Sequence, residues 1–269
     1  MKKNLIYQYW IGPEMEKCAE YGVETMKAYA KKIGAEYVFE RNPTFFNKIC
    51  DEPAAFNSFQ PVFNENFHDY DAVLTIDTDI FPVDGIEENI FESDLAEMNI
   101  CEEVHMPALK KKVGTYSVQE RWSKEVEKFY NVKLPKNSSG LYKIYNGGLA
   151  VYTKEGMRKG KDLMKPIQPF MNHFKPKFSR KLFWRDQAYV HAMFVASGLQ
   201  TRELSVKWNT QIHWEPNTSG KRPVIDMRNK DTCFVHMQLS GSGSWDKQQI
   251  WEAVNLPVDL WSFRNGVLE

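Results

Sequence analysis

The sequence is short of several features, and each shortage narrows what the chain can do. It has 4 cysteines in 269 residues, and Cys18, Cys50, Cys101 and Cys233 lie far apart with no Cys-x-x-Cys pair. That spacing argues against structural zinc and for reduced thiols in a cytosolic setting. Net charge is zero, 35 Lys and Arg balancing 35 Asp and Glu, so no global field recruits nucleic acid or an anionic membrane. No apolar run approaches the length of a bilayer span, so no transmembrane segment is expected. The run after Met1-Lys2-Lys3-Asn4 is too short for a signal-peptide core, which makes cytoplasmic the expected location. Gly-x-x-x-x-Gly-Lys does not occur, which removes a P-loop phosphotransferase. Internal repeats and linkers are missing too, and a single domain over 1–269 is the expectation.

What is present is apolar and aromatic. At 42% hydrophobic and 14% aromatic residues, the chain can bury a sizeable core. Charge is segregated: residues 84–103 hold eight acidic residues and no Lys or Arg, and 154–185 hold ten Lys and Arg against Glu155 and Asp162. Two solvated faces would account for this, as would a basic wall for an anionic substrate. Asn137-Ser138-Ser139 and Asn217-Thr218-Ser219 fit the glycosylation acceptor pattern, but without secretion they read as loops.

The first 80 residues alternate. Residues 5–11 read as a strand stopped by Gly12-Pro13, where Pro13 suits a helix start and Glu14 and Glu16 favour its positive end. The helix runs to Ile33, apolar at Cys18, Tyr21, Met26, Tyr29 and Ile33, and Gly34 closes it. A second strand at 36–40, a helical stretch at 53–67 and a third strand at 71–76 follow. Such alternation is the mark of a parallel sheet with helices on its faces. Residues 83–116 give short elements with no readable order. Beyond them come a helix at 118–130, a loop at 135–140, a strand at 146–152 and a basic helix from Lys154. A helix at 183–196, closed by Gly198, and a late strand at 233–237 complete the pattern. That last strand enters Ser240-Gly241-Ser242-Gly243-Ser244.

The third strand ends in Asp77-Thr78-Asp79, then Ile80-Phe81-Pro82. Carboxylates two apart at a strand end point the same way, and like charges held that close call for a cation between them. A hard divalent ion, Mn²⁺ or Mg²⁺, suits oxygen ligands and keeps positions open for substrate phosphates. Ligands of open α/β sheets bind beyond the carboxyl ends of strands, which favours this pair over the decoy Asp69-Tyr70-Asp71. His236, between an apolar strand and the glycine-rich turn, is a candidate third ligand. Backbone amides around Gly241 could approach phosphate oxygens, and Lys247 could add a charge to them. Asn146-Gly147-Gly148 reads equally as a tight turn or bulge and as a close approach of backbone to substrate. Asp186 and Gln187, on a helix with Trp184 and His191, offer a carboxylate and an amide to one surface, unless Arg185 pairs with Asp186. Trp208, Trp214 and Trp245 could stack on sugar rings, core packing being the plainer use.

Together TIDTD, YNGGLAVY, WRDQAYV and VHMQLSG resemble, in that order, the GT-A glycosyltransferases, nearest the retaining branch of glycogenin-like and bacterial galactosyltransferases. The resemblance covers residues 5–245 in short islands and implies a GT-A, Rossmann-like α/β fold: a mostly parallel central sheet with flanking helices in one domain. A nucleotide-binding part would span about 1–82 and an acceptor and metal-completing part about 83–269. It implies an enzyme that moves a sugar from a nucleotide-diphosphate donor, a UDP-sugar by preference, to a carbohydrate or glycoconjugate acceptor with retention. Asp77, Asp79 and His236 would hold Mn²⁺ or Mg²⁺ against the diphosphate, while Asp186 and Gln187 contact the transferred sugar as catalytic residues. Asn146, Gly147 and Gly148 match the family's Asn-Ser/Ala-Gly turn, and Phe46-Asn47-Lys48 resembles its Trp-x-Lys, which puts Lys48 in the donor pocket. Tyr7, Tyr9, Trp10 and Thr78 would complete that pocket, the aromatic residues flanking the base. Were the reaction inverting, Asp186 would be the general-base candidate. The family's His-x-x-Gly spacing is stretched here and its Lys-Pro-Trp is missing. Two rivals remain: a sugar-nucleotide nucleotidyltransferase, against which Gly12-Pro13-Glu14-Met15-Glu16 is acidic and single-glycine, and a non-catalytic carbohydrate-binding protein.

Overall fold

The computed structural model describes residues 2–214, 224–239 and 241–263; the expectations placed on 217–219 and on Ser240 lie outside the described residues. The first strand, β1 (Asn4–Trp10), buries Leu5 to Gln8 on both faces, as an interior strand must. The first helix, α1 (Lys17–Ile33), begins four residues later than Pro13 suggests. Residues 11–16 are held as a loop instead. The Asn42 amide pairs with both the N–H and the carbonyl of Gly12, and the Trp10 indole donates to the Glu14 carbonyl at 2.9 Å. Gly34 does close the helix, at φ +71°, its N–H directed to the Ala30 and Lys31 carbonyls.

Strand β2 (Glu36–Arg41) follows, then a 3-10 helix at Pro53–Phe59 that runs into α2 (Gln60–Phe63) and a short turn at Glu65–Phe67, across the stretch read as helical. Strand β3 (Ala72–Ile76) is buried at all five positions. After Asp77-Thr78-Asp79 the chain continues as the short β4 (Ile80–Pro82). The stretch without readable order contains β5 (Met98–Glu102) and α3 (Met106–Lys112). Then come α4 (Tyr116–Tyr130), β6 (Tyr145–Thr153), α5 (Lys154–Leu163), α6 (Ile167–Phe174), α7 (Asp186–Ala196), β7 (Thr201–Leu204), β8 (Thr210–Trp214), β9 (Val224–Asp226), β10 (Phe234–Gln238) and α8 (Lys247–Asn255).

Six strands form the main sheet in the order β2-β1-β3-β6-β5-β7, in which β6 runs against its neighbours and the rest are parallel. A smaller sheet has the order β4-β10-β8-β9. This is the mostly parallel α/β architecture anticipated. One core face packs Tyr7, Trp122, Tyr152, Phe170 and Tyr189 beneath α4 to α7; the other packs Met26, Leu74, Val151 and Phe234 beneath α1. Trp208 and Trp245 are core residues, and Trp214 at the end of β8 is partly exposed.

The charged segments resolve into ion pairs. Lys159 meets Glu97, Lys161 meets Glu65, Lys177 meets Glu125, and Lys175 and Arg185 share Glu52. With Lys154 beside Asp71, six of the ten basic residues of 154–185 are thus paired at the surface, which favours solvated faces over a wall for an anionic substrate. All four cysteines are buried and free. Among the described residues, no helix is long and apolar enough to cross a membrane.

Candidate metal centre

Strand pairing brings three distant side chains together. Asp77 and Asp79 leave the end of β3, and the Asp77 N–H donates to the Gly148 carbonyl at 2.8 Å. β10 runs antiparallel to β4 with His236 opposite Ile80, and the Met237 N–H donates to the Asp79 carbonyl at 2.9 Å. Ligand atoms of Asp77, Asp79 and His236 consequently lie within 4.8 Å of one another, the one such trio among the described residues. His236 Nε2 stands 3.5 Å from Asp79 Oδ1.

The donor set fits a hard divalent cation. Asp79 Oδ1 is buried without a hydrogen-bond partner, a costly state unless something positive completes it. Burial, then the Asp79 charge, pushes the Asp77 carboxyl up to about 7, with Asp186 adding to the rise and His236 opposing it. Two carboxylates and one imidazole suit Mn²⁺ or Mg²⁺. A carboxyl raised this far holds its proton up to about pH 7, so protons compete with the cation below that point. Burial opposes a charge on His236 but Asp79 and Asp77 raise its imidazole overall, so a second proton competes. Mn²⁺ affinity is therefore expected to fall by about tenfold or more per pH unit below about pH 7. Calorimetric titrations at a series of pH values check this, and a flat affinity between about pH 8 and about pH 5.5 contradicts it.

The glycines of Asn146-Gly147-Gly148 allow the approach. A Cβ on Gly148 would lie 2.7 Å from Asp77 Oδ2 and 3.1 Å from His236 Cε1. One on Gly147 would lie 2.8 Å from Gln187 Cα, so the start of α7 rests directly on this strand. The bulge reading holds, since the β5–β6 ladder shifts register across these residues, whereas the close approaches made here are to protein atoms. On the other side Gly22 of α1 sits against the Thr78 carbonyl, where a Cβ would collide.

The predicted helix at 183–196 is broken. Residues 181–183 form a separate turn and α7 begins at Asp186. Arg185 pairs with Glu52 and not with Asp186. Burial raises the Asp186 carboxyl, against the backbone N–H groups of its own helix start. Gln187 donates to the Tyr145 carbonyl at 3.1 Å.

Two adjoining clefts meet at the acidic pair. One, about 320 Å³, runs past Tyr9, Trp10 and Thr78 to Asp77 and Asp79. The other, about 810 Å³, runs from Asp79 along 237–239 to Gly241 and its turn, which bends at φ +94°. Glu16 and Ser242 line both. Among the described residues lining them there is no Lys or Arg. Burial first, then the nearby Asp77 and Asp186, raises the Tyr9 hydroxyl.

Four expected contacts fall elsewhere. Tyr7 is fully buried, its hydroxyl donating to Glu40 and accepting from Gln60, both at 2.7 Å, so β1 offers only Tyr9 and Trp10 to a ligand. Asn146 is 2% exposed and points into the protein. Lys48 is exposed on a turn after β2 and lines neither cleft. Lys247 starts α8 and pairs with Glu24 on α1. Two buried residues carry no signal in the sequence reading: Glu103, whose Oε1 accepts from Asn146 at 2.7 Å and Gln211 at 2.9 Å, and Asn209, whose Oδ1 lies 3.0 Å from His236 Nδ1. Glu103 is hidden within the acidic run, and Asn209 belongs to no pattern at all.

No protein-family model and no curated protein matches the sequence. Among solved structures, the apo WbbM bifunctional glycosyltransferase superposes with a TM-score of 0.53 at 12% identity, over 99% of this chain and 51% of that one. The chain thus spans about half of that neighbour. A glycosyltransferase involved in glycosylation of the major capsid of PBCV-1 gives 0.49 at 12% identity, over 87% and 92% of the two chains. Apo mouse xyloside xylosyltransferase 1 gives 0.44 at 14%, over 78% and 88%. At such identities the likeness is one of fold. With a sheet ordered β2-β1-β3-β6-β5-β7 and the likeness to the first of these neighbours, the chain has the GT-A fold.

Proposed function

We propose that the protein is a metal-dependent glycosyltransferase, taking a sugar from a nucleotide-diphosphate donor, a UDP-sugar by preference, to a hydroxyl of a glycan or glycoconjugate with retention. The observation that carries the reading is the convergence of Asp77, Asp79 and His236 where two clefts join in a GT-A fold. A nucleotide-binding part would span about 1–82, and the remainder would complete the metal centre and hold the acceptor.

Bound at Asp77, Asp79 and His236, Mn²⁺ or Mg²⁺ would supply positive charge to a leaving diphosphate. The protein's own groups would do the rest. Tyr9 and Trp10 line the narrower cleft and would flank the base; Thr78 lies between the metal ligands. The turn at Gly241 opens on the wider cleft, where its backbone amides would approach phosphate oxygens. Asp186 lies close enough to Asp77 for its charge to be felt there, and would face the positive charge that develops at the anomeric carbon. Gln187, anchored on Tyr145, would orient the sugar. In transfer the bond from anomeric carbon to phosphate oxygen breaks and one to the acceptor oxygen forms, the acceptor's proton passing to the departing phosphate.

Calorimetry with UDP tests the reading. Mn²⁺ is expected to strengthen UDP binding by about tenfold or more. UDP binding indifferent to Mn²⁺ would remove its support, and turnover of a nucleoside triphosphate with a sugar 1-phosphate would favour a nucleotidyltransferase.

A further inference from the structure

Histidine has two ring nitrogens, and only the one without a proton can hold a cation. We infer that Asn146 and Asn209 form an orientation relay that keeps the His236 proton on Nδ1 and turns the Nε2 lone pair toward Asp77 and Asp79. The inference rests on the metal-centre reading above and adds to it residues that touch no ligand.

The relay starts from a group whose polarity is not adjustable. The backbone N–H of Gly148 can only donate, and it lies 2.8 Å from a side-chain atom of Asn146, which must therefore be Oδ1. The amide nitrogen of Asn146 then faces the opposite way, 2.7 Å from Glu103 Oε1, and a carboxylate oxygen there accepts it. Both ends of Asn146 thus agree on one orientation. The Asn209 atom 2.8 Å from Asn146 Oδ1 must in turn be the amide nitrogen. That leaves Asn209 Oδ1 facing His236 Nδ1 at 3.0 Å, and an acceptor in that place needs the ring proton on Nδ1.

Each link has a single donor–acceptor assignment, which is how amide ends and imidazole protons are decided when hydrogens are not seen. The alternative, with every amide flipped, would set the Gly148 N–H against an amide nitrogen. Water has little opportunity to intervene: Glu103, Asn146, Asn209 and His236 are 5%, 2%, 5% and 4% exposed. On the other side of the ring Nε2 stands 3.5 Å from Asp79 Oδ1, and a cation held by both would take the place of any proton between them. Gln187 reaches the same Glu103 oxygen at 3.5 Å, so the relay also adjoins the start of α7. Partners of this kind fix the tautomer and ring orientation of ligating histidines, and removing one weakens metal affinity by about 10- to 100-fold.

The experiment compares Asn209→Leu, which removes the acceptor, with Asn209→Asp, which keeps an oxygen toward Nδ1 while losing the donor toward Asn146. Mn²⁺ affinity of the full chain is measured by calorimetry without nucleotide. Asn209→Leu is expected to bind about tenfold more weakly or worse, and Asn209→Asp to stay within about threefold of the parent. Equal affinity in Asn209→Leu and the parent overturns the proposal, and so does Asn209→Asp falling as far as Asn209→Leu. Should Asn209→Leu fail to fold, ¹⁵N imidazole spectra of the metal-free parent, taken at a pH where the ring is neutral, decide: a His236 proton on Nδ1 supports the relay and one on Nε2 overturns it. Failure of the parent itself to bind Mn²⁺ would strike the metal reading first and show as such.

Discussion

Asp79→Ala is expected to lower turnover of a UDP-sugar by about 10³-fold or more and to abolish the effect of Mn²⁺ on UDP binding. Asp79 contributes the buried oxygen that no protein group satisfies, and it alone among the metal ligands lines both clefts. The size of the effect follows from what surrounds it. Asp77, Asp79 and Glu16 face the clefts and no described lining residue is cationic, so without a metal a diphosphate would meet only negative charge. The fold should not suffer, because the substitution removes a like charge beside Asp77. The expected signature is lost turnover with an unchanged or raised melting temperature, read by nucleotide release and by calorimetric unfolding. Turnover retained at parental rates would remove Asp79 from the chemistry.

Gly148→Ala is expected to weaken Mn²⁺ binding by about 10²-fold, with turnover falling alongside, although no ligand atom is altered. The added Cβ would lie 2.7 Å from Asp77 Oδ2, 3.0 Å from Asn146 Oδ1 and 3.1 Å from His236 Cε1, so two ligands and their support must all give way. Overpacking of this kind costs about 1–3 kcal/mol in stability, small enough to leave a folded protein in which to measure the loss. Gly147→Ala is the informative contrast. Its Cβ would press on the backbone and Cβ of Gln187, at 2.8 and 3.0 Å, and not on the metal ligands. It should reduce turnover through the displaced start of α7 while leaving Mn²⁺ affinity near the parent's. Equal loss of Mn²⁺ affinity in both would show that the two glycines do not serve separate neighbours.

Much of this arrangement is legible in the amino-acid sequence, and the reasons are particular. Residues 72–76 announce a buried strand because all five are apolar or β-branched, and the carboxylates just past its end inherit a place at the sheet's carboxyl edge. His236 is legible for the same reason, as the polar interruption of an apolar strand before glycines. Strand β5 is not, because residues 98–102 carry two polar positions within an acidic neighbourhood that reads as solvated surface. Glu103 disappears with it. Asn209 gives no local sign, since its importance comes from two partners, Asn146 and His236, brought near by a sheet that pairs β10 with β8. Lys48 and Lys247 err in the opposite way: sequence places them near the right elements, but Lys48 faces solvent on its turn and the ion pair to Glu24 takes Lys247 away from the cleft. Residues 13–16 read as the start of the helix because the Asn42 side chain that secures this loop at Gly12 lies thirty residues on.

Asp77 and Asp79 extend from one sheet, whereas His236 belongs to another, and the two sheets hydrogen-bond in separate ladders. A cation gripped by all three would act as a rivet between the two sheets, added to packing and to side-chain links such as Asn209 to Asn146 and Gln211 to Glu103. Occupying the catalytic position and fastening the late strands onto the early ones would then be a single event.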